Sequence, residues 1–103
     1  MSRKYIMEEN GEVRHEPNVL KWAKWFGTAN RSIARDEFPD EILVSTVFLG
    51  LDHRFNKSED GEPIVFETMI FGINDDEYQK RTTTKTAALI EHRKAIDIVK
   101  AMG

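Results

Sequence analysis

The chain has 103 residues, enough for one hydrophobic core and too few for two, with 40% hydrophobic and 32% charged residues. Fifteen Lys and Arg against eighteen Asp and Glu give a formal net charge of -3, which argues against broad nucleic-acid binding, since that draws on basic surface. The absence of cysteine excludes disulfides, thiolate catalysis and Cys-based zinc sites, and a charged start with no apolar h-region, followed by no run of about eighteen apolar residues, predicts neither export nor membrane insertion, so a cytoplasmic location is expected.

Along the chain, Tyr5 and Met7 alternate with polar residues ahead of Asn10, Gly11 and Val13, a pattern for a polar edge hairpin closed by a type I′ turn. Pro17 breaks the strand and Asn18 offers a side-chain oxygen as a helix cap. Val19, Leu20, Trp22, Ala23, Trp25 and Phe26 then recur at helical spacing up to Gly27. Residues 32–38 fit either a helix or a strand, and the strand is preferred. Pro39 and Asp40 predict a turn, and the run from Glu41 to Leu51 is the clearest strand, apolar on both faces and so expected at the centre of a sheet covered on each side. Asp52 to Glu62 reads as a polar loop, Ile64 to Phe71 as the second strong strand, Gly72 to Glu77 as a turn and Tyr78 to Thr83 as another short strand. Thr84, Lys85 and Thr86 supply hydroxyl caps for a last helix, in which Ala88, Leu89, Ala95, Ile96, Val99 and Met102 recur at helical intervals. The expectation is a single α+β domain over residues 1–103, with a mainly antiparallel sheet of about five to six strands and two helices in the order ββαββββα.

The residues that carry chemistry cluster on the two strongest strands. Thr46, Asp52, His53, Glu67 and Thr68 fall on them or just beyond. Glu67 stands in an otherwise apolar run, so it is either partnered or on an exposed face, because an unpaired buried carboxylate is costly. Asp52 and His53 close a strand, where a histidine beside a carboxylate can act as a general base or can simply end the sheet. His92 points along the apolar face of the last helix, as a hydrogen-bonded core residue or a ligand. Trp22, Trp25 and Phe26 form an aromatic ridge that is either core or interface. Arg81, near Tyr78 and Thr82 to Thr84, could hold a phosphate, although no phosphate-loop glycine spacing accompanies it. No HxH or HxxxH spacing occurs, so neither a metal nor a cofactor is expected.

Trp22, Ala23, Trp25 and Phe26, the run from Val44 to His53, the run from Phe66 to Gly72, and Tyr78, Arg81 and Thr83 before a helix bearing His92 together resemble a family of small uncharacterised proteins of phages, prophages and bacteria. The resemblance covers nearly the whole chain. It implies a phage-type accessory protein, acting in the host cytoplasm in counter-defence, either by sequestering a signalling nucleotide or by inhibiting a host protein.

Three functions follow as expectations. The leading one is a non-enzymatic homo-oligomeric protein with a small-molecule or nucleotide pocket formed by Thr46, Asp52, His53, Glu67, Thr68, Arg81 and His92. Oligomerisation is expected because two helices cannot cover a strand that is apolar on both faces. The second is a direct inhibitor of a host protein, acting through the acidic surface or the Trp22, Trp25 and Phe26 ridge. The third is a small hydrolase using Asp52 and His53, or Glu67, as acid–base groups.

Overall fold

A computed structural model describes residues 3–54, 61–73 and 78–102. The elements are β1 (Tyr5–Met7), β2 (Val13–His15), α1 (Val19–Thr28), β3 (Ser32–Phe38), β4 (Ile42–Phe48), β5 (Phe66–Phe71), β6 (Tyr78–Thr82) and α2 (Lys85–Met102), with a short 3-10 turn at Pro39–Glu41. The α+β class and the order ββαββββα are those expected. The strands divide into two sheets, an antiparallel pair β1-β2 and a four-stranded antiparallel meander β3-β4-β5-β6. The segment 32–38 is a strand because its alternate residues Ala34, Asp36 and Phe38 stand beside Thr46, Val44 and Ile42 of β4. Most of the polar loop expected over 52–62, and residues 74–77 of the turn expected over 72–77, lie outside the described residues.

The first hairpin departs from the expected type I′ turn. Gly11 has a positive φ of 90°, but Asn10 does not share it, and the Gly11 amide donates to the Glu8 carbonyl at 2.9 Å. The result is a three-residue loop in which a left-handed glycine follows an ordinary turn. The Asn10 side chain accepts from the Glu12 amide at 2.9 Å, which spares Asn10 itself a left-handed backbone.

Alternation sorts the four-stranded sheet into two unlike faces. Val44, Thr46 and Phe48 of β4 and Phe66, Thr68 and Ile70 of β5 are buried on one face, beneath Ala88, His92, Ala95 and Val99 of α2. The core forms two clusters there, one around Phe48, Phe66, Val65 and Tyr5 and one around Val44, Ile70, Ala95 and Val99. Leu43, Val47, Met69 and Phe71 lie on the other face and pack against neither cluster, so cover on both sides of β4 is not what the described residues provide.

Two helices are fixed by their ends. Asn18 caps α1 by accepting from the Lys21 amide at 3.0 Å, and Thr84 caps α2 by accepting from the Ala87 amide at 3.1 Å. Helix α1 has no buried residue and is held by its rings. The Trp22 indole N–H lies 3.1 Å from both the Tyr5 and the Gly50 carbonyl oxygens, Trp22 stacks on Phe26, and Trp25 meets Phe48 edge-on. Among the described residues, no helix is long and apolar enough to cross a membrane.

Candidate functional site

Three polar clusters hold the residues singled out from the sequence, and they do not meet in one pocket. The first is interior. The hydroxyls of Thr46 and Thr68, neighbours across β4 and β5, lie 2.6 Å apart. Thr46 Oγ1 is 2.8 Å from Nδ1 of His92 on α2, and His92 Nε2 is 2.7 Å from the Asp36 carboxylate on β3. A carboxylate only accepts, so Nε2 donates to Asp36. In the neutral ring, Nδ1 then accepts from Thr46, whose oxygen accepts from Thr68.

Hydroxyl, imidazole and carboxylate in this order match the parts of a nucleophilic triad. The burial is the reverse of what a triad needs. Thr46 is 0% exposed and Thr68 1%, while the Asp36 side chain at the far end is about half open to solvent, at 49%. A substrate therefore reaches the carboxylate and not the hydroxyl. The chain of bonds ties α2 to three neighbouring strands and satisfies every buried polar atom on its route.

The second cluster closes the chain after β4. Asp52 is 1% exposed, and one of its oxygens accepts from the Arg54 and Ile64 amides at 3.0 and 3.1 Å. The other accepts from the Arg54 guanidinium through Nε and NH2, each at 2.8 Å. Burial opposes ionisation here, yet the guanidinium and the two amides outweigh it and hold the Asp52 carboxyl below its usual range. His53 is exposed and donates its own amide to the Ile64 carbonyl. The Asp52 carboxylate is thus committed to Arg54 and Ile64 and orients no imidazole.

The third cluster sits on the sheet face turned away from α2. The Glu67 carboxylate accepts from Gln79 at 2.6 Å and from Arg81 Nε at 2.9 Å, both on β6. Partnering, the first of the two readings of Glu67, is what the structure provides, and it also turns Arg81 away from the threonines at the start of α2. Among the described residues, no group of three His, Asp or Glu gathers as a metal site. Trp22, Trp25 and Phe26 pack on the chain's own β1 and on the end of β4, and the exposed apolar residues of α1 are instead Val19 and Leu20.

A cleft of about 410 Å³ opens between the first hairpin, Glu62, Pro63 and the start of α2, lined in part by Tyr5, Thr83, Thr84 and Lys85. None of the seven residues expected to bind a ligand lines it. Sequence reasoning missed Asp36, whose partner is 56 positions away, and Arg54, whose signal was its place two residues after Asp52. Compared with protein-family models, curated proteins and solved structures, the chain matches none of them.

Proposed function

We propose that this chain is a non-enzymatic binding protein that works by protein–protein contact, an accessory protein of the kind its phage and prophage resemblance implies. One observation carries the reading: the side chains best suited to chemistry are spent on one another. Thr46, Thr68 and His92 are closed by Asp36, Asp52 by Arg54 and Ile64, and Glu67 by Arg81 and Gln79. An enzyme needs a nucleophile or base that a substrate can reach, with a group to orient it. Here the buried hydroxyls have no approach, and the Asp52 carboxylate beside the exposed His53 is taken by Arg54 and Ile64.

A nucleotide-sequestering protein needs a cationic or amide-lined pocket. The cleft at the start of α2 sets Glu12 and Glu62 against Lys85, a balance that does not select an anion. Contact with a protein remains, and within the resemblance it serves to mask a host protein.

A native mass spectrum of the protein purified from cells with active defence systems tests the reading. The expected species carry no small-molecule adduct. A discrete extra mass in the nucleotide range, stoichiometric with the chain, would overturn it in favour of sequestration.

A further inference from the structure

Charge is unevenly spread along this chain. The nineteen residues from Pro17 to Arg35 hold four Lys and Arg and no Asp or Glu. Elsewhere the other eleven cationic residues face all eighteen acidic ones, a balance of -7. Helix α1 lies inside the basic segment. Lys4 joins it, with Nζ 5.5 Å from the centre of the Trp22 ring, and Arg31 sets its guanidinium on Phe26. Among the described residues, none of Lys4, Lys21, Lys24 and Arg31 enters an ion pair. Lys21 helps to lower the Glu16 carboxyl through space, but Glu16 is bonded to Arg14 and to the Asn18 amide.

With about 3.6 residues per turn, Trp22, Trp25 and Phe26 share the inner side of α1, and two rows are left on the outer side. One row is apolar, Leu20, Ala23 and Gly27 with Val19 beside it; the other is basic, Lys21 and Lys24. All six residues are exposed, and Leu20, at 82%, is the most exposed large apolar residue among those described. Gly27 adds a second observation. A glycine inside a helix is less stable than an alanine. Its φ is not positive, and an added Cβ would meet nothing within 4 Å, so neither backbone nor packing within the chain calls for glycine here. A missing Cβ on an outer face admits the close approach of a second backbone.

We infer that the outer side of α1 docks an acidic amphipathic helix of a partner protein; the inference rests on the protein-binding reading above and names the chemistry of that partner. The apolar ridge of the incoming helix lies along Leu20, Ala23 and Gly27, and its carboxylates face Lys21 and Lys24. Charge selects the occupant, since the balance of -7 elsewhere turns an acidic partner away from other approaches and steers it to α1. A second copy is a poorer occupant, because α1 against α1 sets Lys21 and Lys24 beside a like pair. Nucleic acid is poorer too: an extended polyanion reaches past α1 to the acidic remainder, and two lysines release few counterions. The outer side of α1, about 15 Å long and about 10 Å wide, offers roughly 150 Å² in plan, well under the roughly 800 Å² per partner of a standard interface. The contact is therefore weak by itself and fades as salt rises.

An NMR titration of the isotope-labelled protein tests this, with a synthetic helical peptide of leucine and glutamate as the probe and its lysine-for-glutamate counterpart as the control. The glutamate peptide is expected to shift the amides of α1 and the indoles of Trp22 and Trp25, and the lysine peptide to shift none of them. Lys21→Glu with Lys24→Glu should weaken the affinity about tenfold or more, as should raising the salt from about 20 mM to about 300 mM. Both lysines are exposed and in no ion pair, so this variant keeps its fold. Arg93→Glu with Lys94→Glu, the same change of charge on α2, should alter the affinity by less than about threefold. Gly27→Ala should raise the denaturant midpoint and lower the affinity, a combination that a glycine serving only the fold would not give. Shifts that gather on α2 or on the sheet, no shift up to about millimolar peptide at low salt, or an equal loss from the α2 variant would overturn the docking and leave the protein-binding reading standing. A short single-stranded oligonucleotide that binds α1 more tightly than the glutamate peptide would overturn both. A nucleotide-sized adduct in the native mass spectrum would overturn the protein-binding reading, whatever the peptides do.

Discussion

The His92 imidazole on the closing helix and the Asp36 carboxylate on the edge strand meet at 2.7 Å, and through His92 the bond continues to Thr46 and Thr68 in the core. Removing a buried link should cost more than removing the half-open carboxylate at its end. His92→Ala leaves the buried Thr46 hydroxyl short of a partner and opens a cavity, an expected loss of about 3 kcal/mol. Asp36→Ala, at the half-open end, should cost about 1 kcal/mol, because water replaces the carboxylate. Thr46→Val strands Nδ1 of His92 and should cost about 2 kcal/mol, and adding Thr68→Val should cost little more, since its hydrogen-bond partner is already gone. Urea denaturation of the four variants measures the gradient; equal losses at Asp36 and His92 would show that the chain of bonds does not act as drawn.

How much of this was legible can be judged from the same residues. Thr46, Thr68 and His92 stood out because their positions on apolar strands and on an apolar helix face follow from local periodicity. Asp36 did not, because Arg35, Asp36 and Glu37 read as a solvated run, and only the β3-β4 register, with its irregularity between Ser32 and Ala34, turns Asp36 toward α2. Element order was legible for the same reason: caps such as Asn18 and Thr84 are local signals. The seven polar residues expected around one pocket stand in three separate clusters, because period two assigns a residue to a face but not to a neighbour. Glu67 and Thr68 are adjacent in sequence and open on opposite sides of the sheet.

Acid should unfold this protein partly through Asp52. Its carboxyl is held below the ordinary value of 3.8, so the folded state binds fewer protons there than the unfolded one. The resulting stability is complete above the unfolded value and is lost as pH falls through the folded value, that is, from about pH 4 downward. Glu16 acts in the same direction, its carboxyl lowered chiefly by the Asn18 amide, against desolvation and with help from Arg14. Asp52→Asn should therefore lose stability at pH 7, by about 3 kcal/mol, because the buried charge-assisted bonds between the carboxylate and the Arg54 guanidinium are lost. It should also show a shallower decline in acid, the Glu16 share remaining. Thermal melts from pH 7 to pH 2 measure both, and parallel curves for wild type and variant would refute the assignment.

The turn between β3 and β4 stores backbone strain. Asp40 and Glu41 both adopt positive φ, at 67° and 61°, where a Cβ costs about 1 kcal/mol or more per residue. Aspartate tolerates this region better than glutamate does. Glu41→Gly is thus expected to stabilise the chain by about 1 kcal/mol. Gly72 lies against the same turn, with a φ of 92° and an added Cβ only 2.5 Å from the Glu41 carbonyl oxygen. Gly72→Ala should destabilise by about 2 kcal/mol or more. Denaturant midpoints of the two variants should move in opposite directions.

Helix α1 is docked rather than buried, which makes it a separable unit. Its attachment rests on the Trp22 indole, donating to the Tyr5 and Gly50 carbonyls, and on the Phe26 ring, which lies against Gly50 with the Arg31 guanidinium 3.9 Å from its centroid. Gly50 has a φ of 78°, and a Cβ there would fall 2.9 Å from the Phe26 ring. Trp22→Phe keeps most of the ring area and loses the indole donor, for about 1 kcal/mol. Gly50→Ala must both strain the backbone and push Phe26 away, for about 2 kcal/mol or more. Neither change touches the bonds from Asp36 to Thr68 that clamp α2 onto the sheet. Hydrogen exchange should therefore accelerate in α1 and in β1 for both variants while β4 and β5 keep their protection. If exchange rose uniformly across β4 and β5 as well, α1 would be part of one cooperative unit with the sheet, and its rings would be core in the energetic sense as well as the geometric one.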